Sequence, residues 1–157
     1  MPSYDVREIM GILPHRYPML LLDRITEYEP MVRAAGYKNV TVNEPMLVGH
    51  FPNNPVLPGV YLIEALAQLA GATIMKPGDQ LRKTPYLVAV DKIKFRRPVV
   101  PGDRVDMEAR VARVKLSMGL VDVVATVGGK VCCTGELMFS VVADQASFGS
   151  DASVFHR

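Results

Sequence analysis

The sequence predicts an α+β fold in which one antiparallel sheet wraps a single long helix. Two observations carry that expectation. Residues 56–75, VLPGVYLIEALAQLAGATIM, form a long run of apolar and helix-favouring residues. Four later stretches are rich in Val and alternate with a period of two, separated by short breaks that contain Gly or Pro. At 157 residues the chain can hold one well-buried core and is too short for two ordinary domains. One domain over residues 1–143 is therefore expected, with the polar, glycine-containing stretch 144–157, which includes His156, as a mobile tail.

Residues 4–12 carry apolar positions suited to a short helix that Pro14 ends. The next stretch, MLLLDRITEYEP, opens with an apolar run and stops at Pro30, which suits a strand, and a second strand is expected over 33–42. In the long apolar segment Pro58 fits a first helical turn, where its missing N–H costs nothing, and Pro77-Gly78 stop the run. That predicts a helix of about 16–18 residues, roughly 25 Å long. It is apolar nearly all round, so it is either buried or membrane-spanning. Glu64 near its middle and the early Pro58-Gly59 favour a protein core. The stretches LVAVDKIKFRRPVV, RVDMEARVARVKL, LVDVVATV and KVCCTGELMFSVV then read as strands, and the short breaks between them favour hairpins or a meander.

Composition narrows the function. A net charge of +2 is too small for a nucleic-acid footprint spread over the surface. The two cysteines, Cys132 and Cys133, are strand neighbours whose side chains should face opposite ways and not bridge, which favours a reducing, cytoplasmic setting. The opening MPSYDVREIMG lacks the basic start and apolar core of a signal peptide. There is no GxSxG elbow, no HExxH pair and no glycine-rich nucleotide loop, and three scattered histidines make a poor metal site. No metal and no cofactor are expected.

Two side chains stand out. Glu64 lies in an apolar helix, and a buried carboxylate needs compensation. Either it sits on an exposed stripe or is satisfied by Gln68 one turn later, or it stays protonated in a dry pocket and can donate a proton. His50 lies just before the helix in GHFPNNPVLPG, where three prolines stiffen the loop. A lone loop histidine is usually structural, but a stiff loop feeding a helix with a buried acid also suits a site. At Gly59 the first-turn amides lack helical acceptors, so a carbonyl oxygen can dock there. Loss of water from a 3-hydroxyacyl thioester needs a base for the C2 proton, an acid for the hydroxyl and a donor for the enolate-like oxygen; His50, Glu64 and the Gly59 N–H could supply these.

Three ordered blocks, LPHRYPMLLLDRI, NVTVNEPMLVGHFPNNPVLPGVYLIEALAQLAG and DKIKFRRPVVPGD, closely resemble the 3-hydroxyacyl-[acyl-carrier-protein] dehydratases of bacterial type II fatty-acid synthesis. The resemblance implies a hot-dog fold and a homodimer or trimer of dimers. It further implies that His50 and Glu64 come from different subunits at each site, beside an acyl tunnel. It assigns those two residues as the dehydration pair and the Gly59 amide as the group that polarises the thioester carbonyl. Tyr86 resembles the family's gating tyrosine, although an ordinary strand aromatic fits as well; Phe51 and Gln68 join it as expected substrate-binding residues. Glu64 itself favours dehydration alone, since the related dehydratase–isomerases place an aspartate there. His15, in LPHRYP, receives no catalytic role and is expected to be structural. Because acyl carrier protein is acidic, Lys92, Lys94, Arg96 and Arg97 are expected as its docking residues, with a solvated strand face as the plainer alternative.

Other classes remain open from the sequence. An acyl thioesterase or hydratase can share the fold, and a non-catalytic acyl-binding protein can keep its tunnel. Ultraviolet-absorbing unsaturation formed from a 3-hydroxyacyl thioester would mark dehydration, free thiol would mark hydrolysis, and binding without turnover would mark a carrier.

Overall fold

The computed structural model describes residues 1–143; the stretch 144–157, His156 with it, lies outside the described residues. Helix α1 covers only Val6–Ile9, shorter than the expected 4–12. It starts on a reciprocal cap, the Asp5 carboxylate accepting from the Arg7 and Glu8 amides while Glu8 accepts from the Asp5 amide. Its end tightens at once, with the Gly11 and Ile12 amides donating to carbonyls only three residues back, Glu8 and Ile9. Tyr4 escapes the helix altogether and bridges to Ile25.

Strands β1 (Arg24–Glu29) and β2 (Arg33–Asn39) form an antiparallel pair. The apolar run before β1 is not strand: Leu21 and Leu22 are buried in irregular backbone, and the Leu21 amide donates to a helix side chain, Gln68. The central helix α2 runs Gly59–Ile74, 16 residues as expected, with Leu62 and Ala65–Ile74 buried. The Tyr28 hydroxyl donates to the Ala72 and Met75 carbonyls and so closes the far end of α2. No described helix is long and apolar enough to cross a membrane.

Strands β3 (Lys83–Phe95), β4 (Arg104–Lys115), β5 (Met118–Val127) and β6 (Lys130–Ala143) complete a six-stranded antiparallel sheet in the order β1-β2-β4-β5-β6-β3, curled over α2. Strands β4 to β6 are the expected meander. The Pro101-Gly102 break is not a hairpin, because β3 pairs with β6 at one sheet edge while β4 pairs with β2. The connecting segment is tied elsewhere: the Val99 carbonyl accepts from Leu57 just ahead of α2, and Gly102 donates to Val40 just past β2. Strand β3 also begins four residues earlier than the alternation suggested. It tolerates Pro85 because an edge strand can lose one donor without breaking a two-sided ladder.

Cys132 and Cys133 do not face opposite ways as expected: both are buried, as free thiols. Cys133 sits opposite Ala125, and the next pair joins Val131 to Thr126, so Cys132 is an extra residue in the ladder. Such a bulge resets the alternation and turns both side chains inward.

Candidate active site

His50 follows the short 3₁₀ turn Pro45–Val48. Its loop is closed on itself by backbone bonds from Val56 to the His50 carbonyl and between Phe51 and Asn54 in both directions. The His50 ring is half-buried, and its Nδ1 lies 2.6 Å from the Val56 carbonyl oxygen. A carbonyl only accepts, so the proton is on Nδ1 and Nε2 carries the free lone pair. The Val56 carbonyl therefore fixes the tautomer of the neutral imidazole. Phe51, half-exposed, stacks on the imidazole with ring centroids 4.0 Å apart.

His50 lines a cavity of about 540 Å3 together with Gly59, Leu62, Phe95, Arg97 and Val99. Helix α2 opens into it. Tyr61 and Leu62 donate to the Pro58 carbonyl, and the Gly59 N–H has no acceptor among the described residues. The Phe95 ring lies over Gly59 so closely that a Cβ there would stand 2.8 Å from Cζ. Glycine at this position lets the aromatic ring and the helix start meet.

Glu64 lies five residues, about 7.5 Å of helix rise, further on and lines a different cavity of about 280 Å3 with His15, Gln68, Thr84, Tyr86 and Phe139. No residue lines both cavities. One chain thus keeps the imidazole and the carboxyl in separate pockets along the same helix. The Glu64 side chain is 29% exposed, so it is not sealed in a dry pocket within one chain. Its Oε1 accepts from Gln68 Nε2 at 2.9 Å, which is the satisfied arrangement that helical spacing allowed.

Gln68 is itself buried, with Nε2 also donating to the Met19 carbonyl and Oε1 accepting from the Leu21 amide. Tyr86 is 55% exposed at the mouth of the Glu64 cavity on β3. Lys92, Lys94 and Arg96 do share one exposed face, but Asp122 and Glu136 lie on it as well, and Lys92 pairs with Glu136 at 2.7 Å. Hydrogen bonding to that carboxylate holds the exposed Lys92 ammonium above its usual basicity. Arg96 and Arg97 also line the His50 cavity.

One neighbour of Glu64 was not anticipated from the sequence. His15 Nε2 stands 3.5 Å from Glu64 Oε1, across the cavity wall. Its block LPHRYP matched the family pattern, but nothing in spacing connects residue 15 to residue 64. A partly buried pair, Lys38 Nζ to Glu44 Oε1 at 2.6 Å, was likewise unexpected; it ties β2 to the loop that leads to His50.

Comparison with known proteins identifies the family and the fold. A FabA-like domain matches residues 13–136. The 3-hydroxyacyl-[acyl-carrier-protein] dehydratase FabZ of Clostridium acetobutylicum is 49% identical over 140 residues, 89% of this chain and 99% of the relative. The chain belongs to the FabZ family of 3-hydroxyacyl-[acyl-carrier-protein] dehydratases. The dehydratase of Caldicellulosiruptor bescii is 46% identical over 138 residues, 88% of this chain and 99% of its own. In three dimensions, a chain of the dehydratase heterocomplex ApeI:P from Xenorhabdus doucetiae superposes with a TM-score of 0.70 at 18% identity, over 85% of this chain and 90% of that one. At that identity the likeness concerns the fold alone, and the dehydratase has the hot-dog architecture: α2 as the filling, the curled sheet around it.

Proposed function

We propose that this dehydratase converts (3R)-3-hydroxyacyl-[acyl-carrier-protein] to the trans-2-enoyl form, with His50 as base, Glu64 as acid and the Gly59 N–H holding the thioester oxygen. His50 Nε2 takes the C2 proton, the C3–O bond breaks, and the departing hydroxyl leaves as water with the proton of Glu64. The imidazolium and carboxylate then exchange protons with solvent to reset the site. The amide at the start of α2 stabilises the enolate-like oxygen as negative charge develops, aided by the helix dipole. Phe51, stacked on the His50 ring, and Tyr86, on the wall of the Glu64 cavity, are aromatic and half-exposed and suit contact with the acyl chain. Gln68 supports the acid from below.

The observation that carries this reading is the separation of the pair within one chain, each residue lining its own open cavity beside β3. A second copy is the natural way to bring them together. Strand β3 stands last in the described sheet and exposes Tyr86, Val88, Val90 and Phe95, and an apolar edge strand of this kind invites pairing with another chain. A homodimer joined there, further assembled as a trimer of dimers, sets His50 of one subunit against Glu64 of the other. Lys94, Arg96 and Arg97 lie beside the His50 cavity or on the adjoining face, where an acidic carrier protein can dock; Lys92 is the least available, being held by Glu136.

Complementation tests the shared site. His50→Ala and Glu64→Ala each lower turnover at least about a hundredfold without loss of folding. Co-refolded as mixed dimers, the two inactive variants regain activity at the sites that combine intact halves. No recovery despite demonstrated subunit exchange overturns the shared site.

A further inference from the structure

Opposite Glu64 stands a side chain that the reaction scheme leaves unused. His15 belongs to the loop between α1 and β1, which Arg16 gathers by donating from its guanidinium to the carbonyls of Met10, Leu13 and His15. The loop presents His15 Nε2 to Glu64 Oε1 at 3.5 Å, inside the same cavity. Its other nitrogen, Nδ1, is buried with no hydrogen-bond partner among the described residues. Burial lowers the basicity of this imidazole, the charge of Glu64 opposes that fall, and Arg16 adds to it. Tyr86 is the remaining titratable group on the cavity wall. The ring is therefore uncharged at neutral pH, with one proton shared between two unequal positions.

A proton on Nδ1 would bury a donor without an acceptor and aim the Nε2 lone pair at a carboxyl oxygen. On Nε2 it points at Oε1 and leaves only a bare acceptor inside, the less costly orphan. Gln68 already donates to that same oxygen. Gln68 thus donates to Oε1 at 2.9 Å, and His15 Nε2 faces the same oxygen from the loop at the longer distance of 3.5 Å.

We propose that His15 is a positioning residue for the dehydration: with Gln68 it holds Oε1 of Glu64 as an acceptor, so that the proton given to the leaving hydroxyl sits on Oε2. The proposal rests on Glu64 being the acid. His15 touches the acid and is not itself a catalytic residue.

Steady-state kinetics of His15→Leu and His15→Gln in the full-length enzyme test it, with thermal unfolding of each variant alongside. His15→Leu removes the donor and lowers kcat roughly 10- to 100-fold, the weight of one hydrogen bond to a charged group, while KM stays within about twofold. His15→Gln, which returns an N–H near the position of Nε2, recovers most of the loss. In a Glu64→Gln background, single-turnover rates are unchanged by His15→Leu, because the acid it served is gone. Equal losses for Leu and Gln, a loss confined to KM, a wild-type kcat for His15→Leu, or an undiminished effect in the Glu64→Gln background would each reduce His15 to a cavity wall and overturn the proposal. Full activity of Glu64→Gln alone would instead remove the acid assignment first, and the positioning role with it.

Discussion

Gln68 Nε2 donates to Glu64 Oε1 across 2.9 Å, and the amide making that bond has no freedom to turn round. Its oxygen accepts from the Leu21 amide at 2.9 Å and its nitrogen also donates to the Met19 carbonyl at 2.5 Å. A flipped amide would set oxygen against carbonyl and donor against donor. The irregular stretch before β1 thus fixes the Glu64 carboxyl on α2. Replacing Gln68 with Met, of similar length, strands one buried donor and one buried acceptor and frees Glu64. We expect a loss of about 2–4 kcal/mol, read as a depressed thermal midpoint, together with a lower kcat. An unchanged midpoint would mean that the loop re-satisfies itself without the amide.

Gly59 and Phe95 make the second test. A methyl group at residue 59 would enter the Phe95 ring, at 2.8 and 2.9 Å from two ring carbons. The ring is 53% exposed, so it can swing aside and the fold should survive. Gly59→Ala keeps the helix-start amide, so any effect on activity comes through the displaced ring. We expect kcat/KM to fall about tenfold, one factor of 1.4 kcal/mol, with little change in unfolding midpoint. In a Phe95→Ala background the same substitution should be nearly silent. An equal loss in both backgrounds would place the effect in the backbone and not in the ring.

The helix, the number of strands after it and the choice of His50, Glu64 and Gly59 as candidates for a site were legible in the sequence because each depends on local signals. Prolines bound α2, alternation marks β4 to β6, and a carboxylate among Leu and Ala is conspicuous at any distance. What was not legible depends on pairs far apart in the chain. Nothing near residue 101 reveals that β3 crosses the sheet to join β6, since the turn residues there look like those of a hairpin. The run MLLLD is as apolar as a strand, yet it is held by Gln68, 47 residues away from Leu21. The proximity of His15 to Glu64 and of Lys38 to Glu44 was not legible for the same reason: only the fold brings those carboxylates to them. The cysteine pair failed differently, through a bulge that strict alternation does not anticipate.

Lys38 and Glu44 supply a prediction about stability. The pair is largely shielded, with side-chain exposures of 8% and 15%, and shielded charges left without a partner are costly. Lys38→Met should destabilise the protein by roughly 3 kcal/mol, much of it the penalty of an uncompensated carboxylate. Adding Glu44→Met should return most of that loss, because two apolar side chains can replace a shielded ion pair with little net change. Urea unfolding at one fixed protein concentration reads both values, since any self-association would make apparent stability depend on concentration. A double variant no better than the single would show that the loop before His50 needs the charges themselves.

Tyr28 gives the alkaline limit of the fold. Its hydroxyl is buried at the end of α2, donating to the Met75 carbonyl at 2.5 Å and to Ala72 at 3.2 Å. Burial, with smaller contributions from Tyr4 and Asp79, pushes its pKa from 10.0 up to about 12. The unfolded chain ionises this phenol first, so it holds fewer protons than the native state between those two values, and stability falls as pH rises. The contribution is fully present below pH 10 and is lost progressively towards pH 12, amounting to about 2–3 kcal/mol at the upper end. Tyr28→Phe cannot ionise. At neutral pH it should be less stable than the parent by about 1 kcal/mol, having left two helix-end carbonyls without their donor. Between pH 10 and 12 its stability should decline less steeply than the parent's, so that the two curves converge or cross. Chemical denaturation at a series of alkaline pH values measures both slopes. Parallel curves through that window would mean that Tyr28 ionises as readily in the fold as outside it, and that the helix end is open to water.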